Sequence, residues 1–95
     1  MPNNITLQSF CVRKDNGFLV SELGDDIVMM NTQSGNYLGL NIVSADIWKM
    51  MAHPITAEAI IDTLVNQYEI DRESCETQTL ECLNKMLLLG MIQLS

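Results

Sequence analysis

The sequence predicts an α+β domain in which a three-stranded antiparallel sheet is followed by three helices. Three observations carry that reading. Short apolar runs separated by turn residues fill positions 18–40, and apolar residues at helical spacing fill positions 42–89. Nothing between them has the composition of a linker, a repeat or a low-complexity segment. Three strands and three helices around one core make a winged helix-turn-helix-like layout. A chain of 95 residues suits a single domain of that kind.

Phe18–Leu23 reads as the first strand, and Gly24-Asp25-Asp26 as the turn after it. Ile27-Val28-Met29-Met30 is a continuous apolar run of strand length, the pattern of a central strand covered on both faces. Thr32-Gln33-Ser34-Gly35 has hairpin-turn chemistry, and Tyr37–Leu40 forms the third strand. Two tight turns in succession imply a meander, so the third strand should lie at an edge. Residues 1–17 are weakly patterned and are expected to be an N-terminal arm or an extra edge strand beside the domain proper, residues 18–95.

Helical periodicity begins after Asn41, a suitable N-cap, with Val43, Ile47 and Met50/Met51 on one face. His53-Pro54 ends this helix, because a residue before proline avoids helical geometry. Thr56 should cap a second helix to about Tyr68, with Ile60, Ile61, Leu64, Val65 and Tyr68 facing inward. Asp71 should cap a third, to about Leu89, with Gly90 as its terminator. The pairs Ile55/Ile60 and Ile70/Cys75 sit at the N′ and N4 positions of a hydrophobic staple, which supports both helix starts.

Composition removes several classes of function. The net charge is −7, and the cations are only Arg13, Lys14, Lys49, Arg72 and Lys85. They form no cluster of the kind that displaces counterions from nucleic acid. No apolar run is long enough to span a bilayer, and Met1-Pro2-Asn3-Asn4 does not open a signal peptide, so a cytoplasmic location is expected. Reduced thiols at Cys11, Cys75 and Cys82 fit that compartment. The lone histidine, His53, precedes a proline in a loop and has no evident partner for acid–base work. Cys75 and Cys82 lack the paired spacing of a zinc site, and no glycine pattern cradles a phosphate. Glu69, Asp71, Glu73 and Glu76 surround a helix start, where the dipole favours anions, and Trp48 suits a core anchor. Neither a catalytic residue, a metal site nor a cofactor is expected.

A binding groove is easier to assemble. In the third helix Leu80, Leu83 and Leu87 form one stripe, enough to pack the helix onto the domain. A second stripe, Cys75, Thr79, Cys82 and Met86, runs beside it, small and nearly uncharged. So wide an arc implies either deeper burial or one wall of a groove. The third strand supplies a second wall. Asn36-Tyr37-Leu38-Gly39-Leu40-Asn41 carries none of the charge or proline that usually protects a sheet edge. An unprotected edge beside an apolar groove suits a peptide added as a further strand.

The ordered set Ile27-Val28-Met29-Met30-Asn31, Asn36-Tyr37-Leu38-Gly39-Leu40-Asn41 and Ile47-Trp48 resembles the PqqD family, the peptide chaperones of pyrroloquinoline quinone biosynthesis. Pro54-Ile55-Thr56, Tyr68, Cys75 and Leu89-Gly90-Met91-Ile92 follow at matching positions, so the likeness covers about residues 18–93. It is nearest to the stand-alone PqqD-like proteins of lasso-peptide biosynthesis. The resemblance implies a recognition element for ribosomally made, post-translationally modified peptides. Such a domain is not an enzyme. It takes the leader segment of a precursor peptide as a strand against its third strand, under the third helix. It then presents the precursor to a leader peptidase or another maturation enzyme. Carried over by position, the peptide-binding residues are Tyr37, Leu38, Gly39 and Leu40 on the strand, with Cys75, Thr79, Cys82, Leu83 and Met86 on the helix. The competing readings are a winged-helix DNA-binding regulator, which the charge opposes, and a structural subunit of a modifying enzyme. Neither nucleic acid nor membrane is an expected partner, and monomer and dimer both remain open.

Overall fold

Asn31 starts the turn that defines the first sheet. Its side-chain oxygen accepts from Gln33 N at 2.9 Å and Ser34 N at 3.1 Å, while its own N–H donates to Asn36 O at 2.8 Å. Gly35, at φ +76°, supplies the left-handed residue that closes this turn. The structure, a computed structural model, describes residues 5–14, 17–24 and 26–95. Residues 1–4 and Asp25, the middle of the first expected turn, lie outside them.

The chain runs β1 (Phe10–Arg13), β2 (Phe18–Leu23), β3 (Asp26–Asn31), β4 (Tyr37–Leu40), α1 (Ile42–Met50), β5 (Ile55–Thr56), α2 (Ala57–Tyr68), α3 (Arg72–Leu88) and β6 (Ile92–Leu94). Strands β2, β3 and β4 form the expected antiparallel meander, with β3 in the middle and β4 at an edge. Ile27, Met29 and Leu40 on its inner face are buried. Leu19, Met30 and Tyr37 pair in one row on its outer face.

A second antiparallel sheet, ordered β5-β1-β6, was not expected. Within the N-terminal segment, Phe10–Arg13 is the middle strand of this sheet and not a strand at an edge. Cys11 pairs with Ile55 on one side and Leu94 on the other, and is fully buried. The partner strands are two and three residues long, too short for a period-two pattern to announce them. Thr56 also serves as the expected N-cap, its Oγ1 accepting from Ala59 N at 3.2 Å. The fold is thus α+β with two small sheets and three helices, and no helix among the described residues is long and apolar enough to cross a membrane.

All three helix starts are capped as their sequences indicate. Asn41 Oδ1 accepts from Ser44 N at 2.9 Å, and Asp71 Oδ2 accepts from Ser74 N at 3.0 Å. Asp46 of α1 accepts from Tyr68 Oη and, at 3.1 Å, from Gln67 Nε2, tying α1 to the end of α2. Helix α3 ends in a Schellman turn: Met91 N donates to Met86 O at 2.9 Å and Gly90 N to Leu87 O at 3.1 Å. Gly90 takes the left-handed geometry, φ +79°, that this turn requires.

The packed seam of α3 differs from either predicted stripe. Cys75, Thr79, Leu83 and Met86 are buried, whereas Leu80, Cys82 and Leu87 are half-buried. At about 100° per residue these seven span an arc of roughly 160°, with Cys82 at one margin and Leu80 and Leu87 near the other. Thr79 tolerates burial because its hydroxyl reaches Cys75 Sγ at 3.7 Å. Met86 was expected on the groove stripe, adjacent to the core; at 3% exposure it belongs to the core, so a charge there would disrupt the fold itself. Leu88, by contrast, is 86% exposed.

This seam makes a direct prediction. Leu83→Ala should cost about 2–5 kcal/mol and lower the melting temperature by at least about 10 °C. Leu88→Ala should stay within about 0.5 kcal/mol of the parent. Thermal melts followed by circular dichroism check both, and equal losses would refute this account of the helix.

Candidate functional site

β4 hydrogen-bonds to β3 on one side, and its other edge pairs with no strand among the described residues. The orientation of that edge follows from the turn. Asn31 and Asn36 form a hydrogen-bonded pair, so the alternation of an antiparallel ladder makes Met29/Leu38 and Ile27/Leu40 hydrogen-bonded pairs too. The N–H and C=O groups of Leu38 and Leu40 therefore point to β3. Those of Tyr37 and Gly39 point outward, available to an added strand. A Cβ built on Gly39 would meet nothing within 4 Å, so the edge is sterically open there.

Helix α3 rests on α2 and β6, while α1 lies against β3 and β4. The flank of β4 facing α3 is left as a cleft. A cavity of about 230 Å³ lies between Leu38–Asn41 on the strand side and Cys82, Lys85, Met86 and Leu89 on the helix side, with Met91 also in its lining. The Schellman turn brings Met91 there. A second cavity, about 260 Å³, lies between α1 and α3 and is lined by Val43, Ile47, Leu64, Ile70, Cys75 and Thr79 among others. Asn41, Ser44 and Cys82 line both, so the two cavities adjoin. Ser44 Oγ and Cys82 Sγ meet there at 3.9 Å.

The lining is almost free of charge. Lys85 is the one charged residue of the strand-side cavity, and the neighbouring cavity has none. Burial pushes the Cys82 thiol up from its ordinary value, while the Ser44 hydroxyl and the Lys85 charge act in the opposite direction. The neutral thiol is thus the form that faces the cleft at neutral pH, and it behaves as a small apolar group.

The expected site residues divide in three. Leu38, Gly39, Leu40, Cys82 and Met86 come together around the strand-side cavity. Cys75 and Thr79 line the adjoining one. Tyr37 and Leu83 are placed elsewhere. The Tyr37 side chain, 73% exposed, lies with Leu19 and Met30 around a shallow hollow on the outer face, so only its backbone borders the free edge. Leu83 has no exposed surface and lines neither cavity. Lys85 and Leu89 were missed, although their spacing from Cys82, i+3 and i+7, places them on the same flank of α3. Ser44 and Val43 had no sequence signal, since their place depends on how α1 crosses α3.

His53 is exposed in the turn before Pro54. Among the described residues, no group of three or more His, Cys, Asp or Glu side chains could hold a metal ion.

Two solved structures share the fold. The first, TbiB1 in complex with the TbiA(beta) leader peptide, superposes with a TM-score of 0.76 at 23% identity, covering 86% of this chain and 94% of its own. The second, a lasso peptide synthetase B1 complexed with the leader peptide, gives a TM-score of 0.74 at 20% identity, covering 87% and 96%. No curated protein matches the chain. The family model described as coenzyme PQQ synthesis protein D (PqqD) matches residues 26–92, more than two thirds of the sequence. By the extent of that match, which takes in β4, the cleft and α3, the chain belongs to the PqqD family.

Proposed function

We propose that this protein binds the leader segment of a ribosomally made precursor peptide, as a strand added to β4, and delivers it to a separate maturation enzyme, most simply in lasso-peptide biosynthesis. The observation that carries the reading is the outward-facing backbone of Tyr37 and Gly39 beside an uncharged cleft, in a PqqD-family chain. Two proteins of the same fold were solved with leader peptides bound. The roles of Leu38–Leu40 and of Cys75, Thr79, Cys82 and Met86 are part of this proposal. An added strand would exchange backbone hydrogen bonds with Tyr37 and Gly39. Its side chains opposite Leu38 and Leu40 would turn toward α3, while the intervening ones face solvent. Leu83 and Met86 support the wall from within the core.

The edge can be tested by moving a single proline. Gly39→Pro should remove an outward donor and leave the β3–β4 ladder intact, since Leu38 keeps the extended geometry a following proline requires. One lost backbone bond, about 0.5–1.5 kcal/mol, lowers affinity for the cognate precursor by up to about tenfold. Leu38→Pro removes a donor that serves β3 and should damage the sheet instead. Calorimetry with circular dichroism separates the two, and a folded Gly39→Pro protein of full affinity would show that the peptide docks elsewhere.

The helix wall predicts that Cys82→Glu weakens binding while the fold persists, because this half-buried side chain stands at the margin of the seam. A carboxylate desolvated without a partner costs about 1–3 kcal/mol or more, hence roughly tenfold or more in affinity. Thr77→Glu, exposed on another side of α3, adds the same charge as a control and should have little effect. Equal effects from the two variants would assign the loss to net charge.

The protein should also leave its peptide chemically unchanged. Precursor incubated with the purified chain should keep its mass by mass spectrometry. Cleavage or modification that persists in the absence of contaminating enzymes would contradict a purely binding role.

A further inference from the structure

The chain carries twelve carboxylates and five cations, and most of its cations are committed. Lys49 pairs with Glu22 at 3.7 Å, Arg72 bridges Asp62 at 2.6 Å and Glu76 at 3.2 Å, and Arg13 lies over Trp48 at 5.6 Å. Lys85 is different. It has no ion pair among the described residues, and it lies on the flank of α3 that forms the cleft. A lysine in the last turn complements the helix dipole from any side of the helix. Its position on the cleft flank, as the one charge in an otherwise neutral lining, is not explained by the dipole. The cleft feels that charge, since Lys85 acts on the Cys82 thiol.

The lining also locates Lys85 along the cleft. Asn41 and Cys82 meet at the end shared with the neighbouring cavity, so β4 and α3 run in opposite senses past each other. Moving from Cys82 to Lys85 advances almost one helical turn, about 5 Å, away from Leu40 and toward Leu38. A two-residue step along a strand is about 6.6 Å. Successive inward-facing side chains of an added strand thus meet Cys82 first and Lys85 next. A neutral side chain fits beside Cys82. Beside Lys85, a carboxylate would form a partly desolvated ion pair that the chain's own residues do not supply.

We propose that Lys85 is a specificity-determining residue of the cleft: it selects peptides with an acidic residue at the inward-facing position beside Leu38, and so sets the register of the bound strand. This inference rests on the strand-addition reading above.

The test uses the full chain as bait for a displayed library of random twelve-residue peptides at low salt. The baits are the parent protein, Lys85→Glu and Lys14→Glu. Lys14 is exposed, lines neither cavity and gives the same change in net charge. Parent and Lys14→Glu baits should enrich peptides with Asp or Glu at one fixed place in an alternating apolar pattern. Lys85→Glu should enrich Lys or Arg at that place and keep the apolar positions. The most enriched parent peptide should bind Lys85→Glu about tenfold more weakly, a difference that shrinks in high salt. Alternating apolar peptides with no acidic position, or the same acidic preference on the Lys85→Glu bait, would overturn the role of Lys85 and leave strand addition standing. A shift of equal size with Lys14→Glu would overturn it too, by assigning the preference to net charge. No enrichment on any folded bait would overturn the strand-addition reading and this inference together.

Discussion

One helix has two surfaces to cover and apolar area for only one of them. The buried arc of α3, from Cys75 through Thr79 and Leu83 to Met86, packs against α2 and β6 and belongs to the common core. Only its margin, at Met86 and the half-buried Cys82, reaches the cavity beside β4. The meander is covered on its inner face by α1, so Ile27, Met29 and Leu40 stay buried while the strand edge and the gap beside it remain open. Had Cys82 and Lys85 been large apolar residues, α3 could have closed against β4 and filled the cleft. The small thiol at the margin and the lysine beyond it line the gap instead.

Electrostatics reinforce that arrangement. The acidic residues at the junction of α2 and α3, among them Asp62, Glu69, Asp71, Glu73 and Glu76, stand in solvent or pair with Arg72. No carboxylate lines either cavity. The surplus negative charge acts mainly through water, where it is screened over about 8–10 Å at ordinary salt. Inside the cleft the lining is neutral apart from a single ammonium, that of Lys85.

The sequence made the meander and all three helix starts legible because their determinants are local. Asn41, Thr56 and Asp71 cap within three residues of themselves, and Gly35 and Gly90 adopt the backbone geometry their turns demand. The edge position of β4 followed from two short turns, and Leu38–Leu40, Cys82 and Met86 do gather at the cleft. The second sheet was illegible because its pairing joins distant residues through strands of two to four residues. The α3 seam was misread for another reason. Residue hydrophobicity ranks Leu80 and Leu87 above Thr79 and Cys75, but burial follows the angle at which neighbours approach, and it is Thr79 and Cys75 that are buried. The family resemblance carried Tyr37 over with the rest of its strand, and strand alternation turns its ring to the opposite face.

The pairing of Cys11 with Leu94 has a consequence for the order in which the molecule assembles. The meander closes only short loops between residues 18 and 40, so its nucleation costs little chain entropy. The β5-β1-β6 sheet instead needs residues from nearly opposite ends of the sequence and gains nothing until they meet. Local contacts therefore favour early formation of the meander and its β4 edge, while the pairing of β1 with β5 and β6 has to wait for the distant strands. In a growing chain β4 would be available well before β6, the last partner that the second sheet requires.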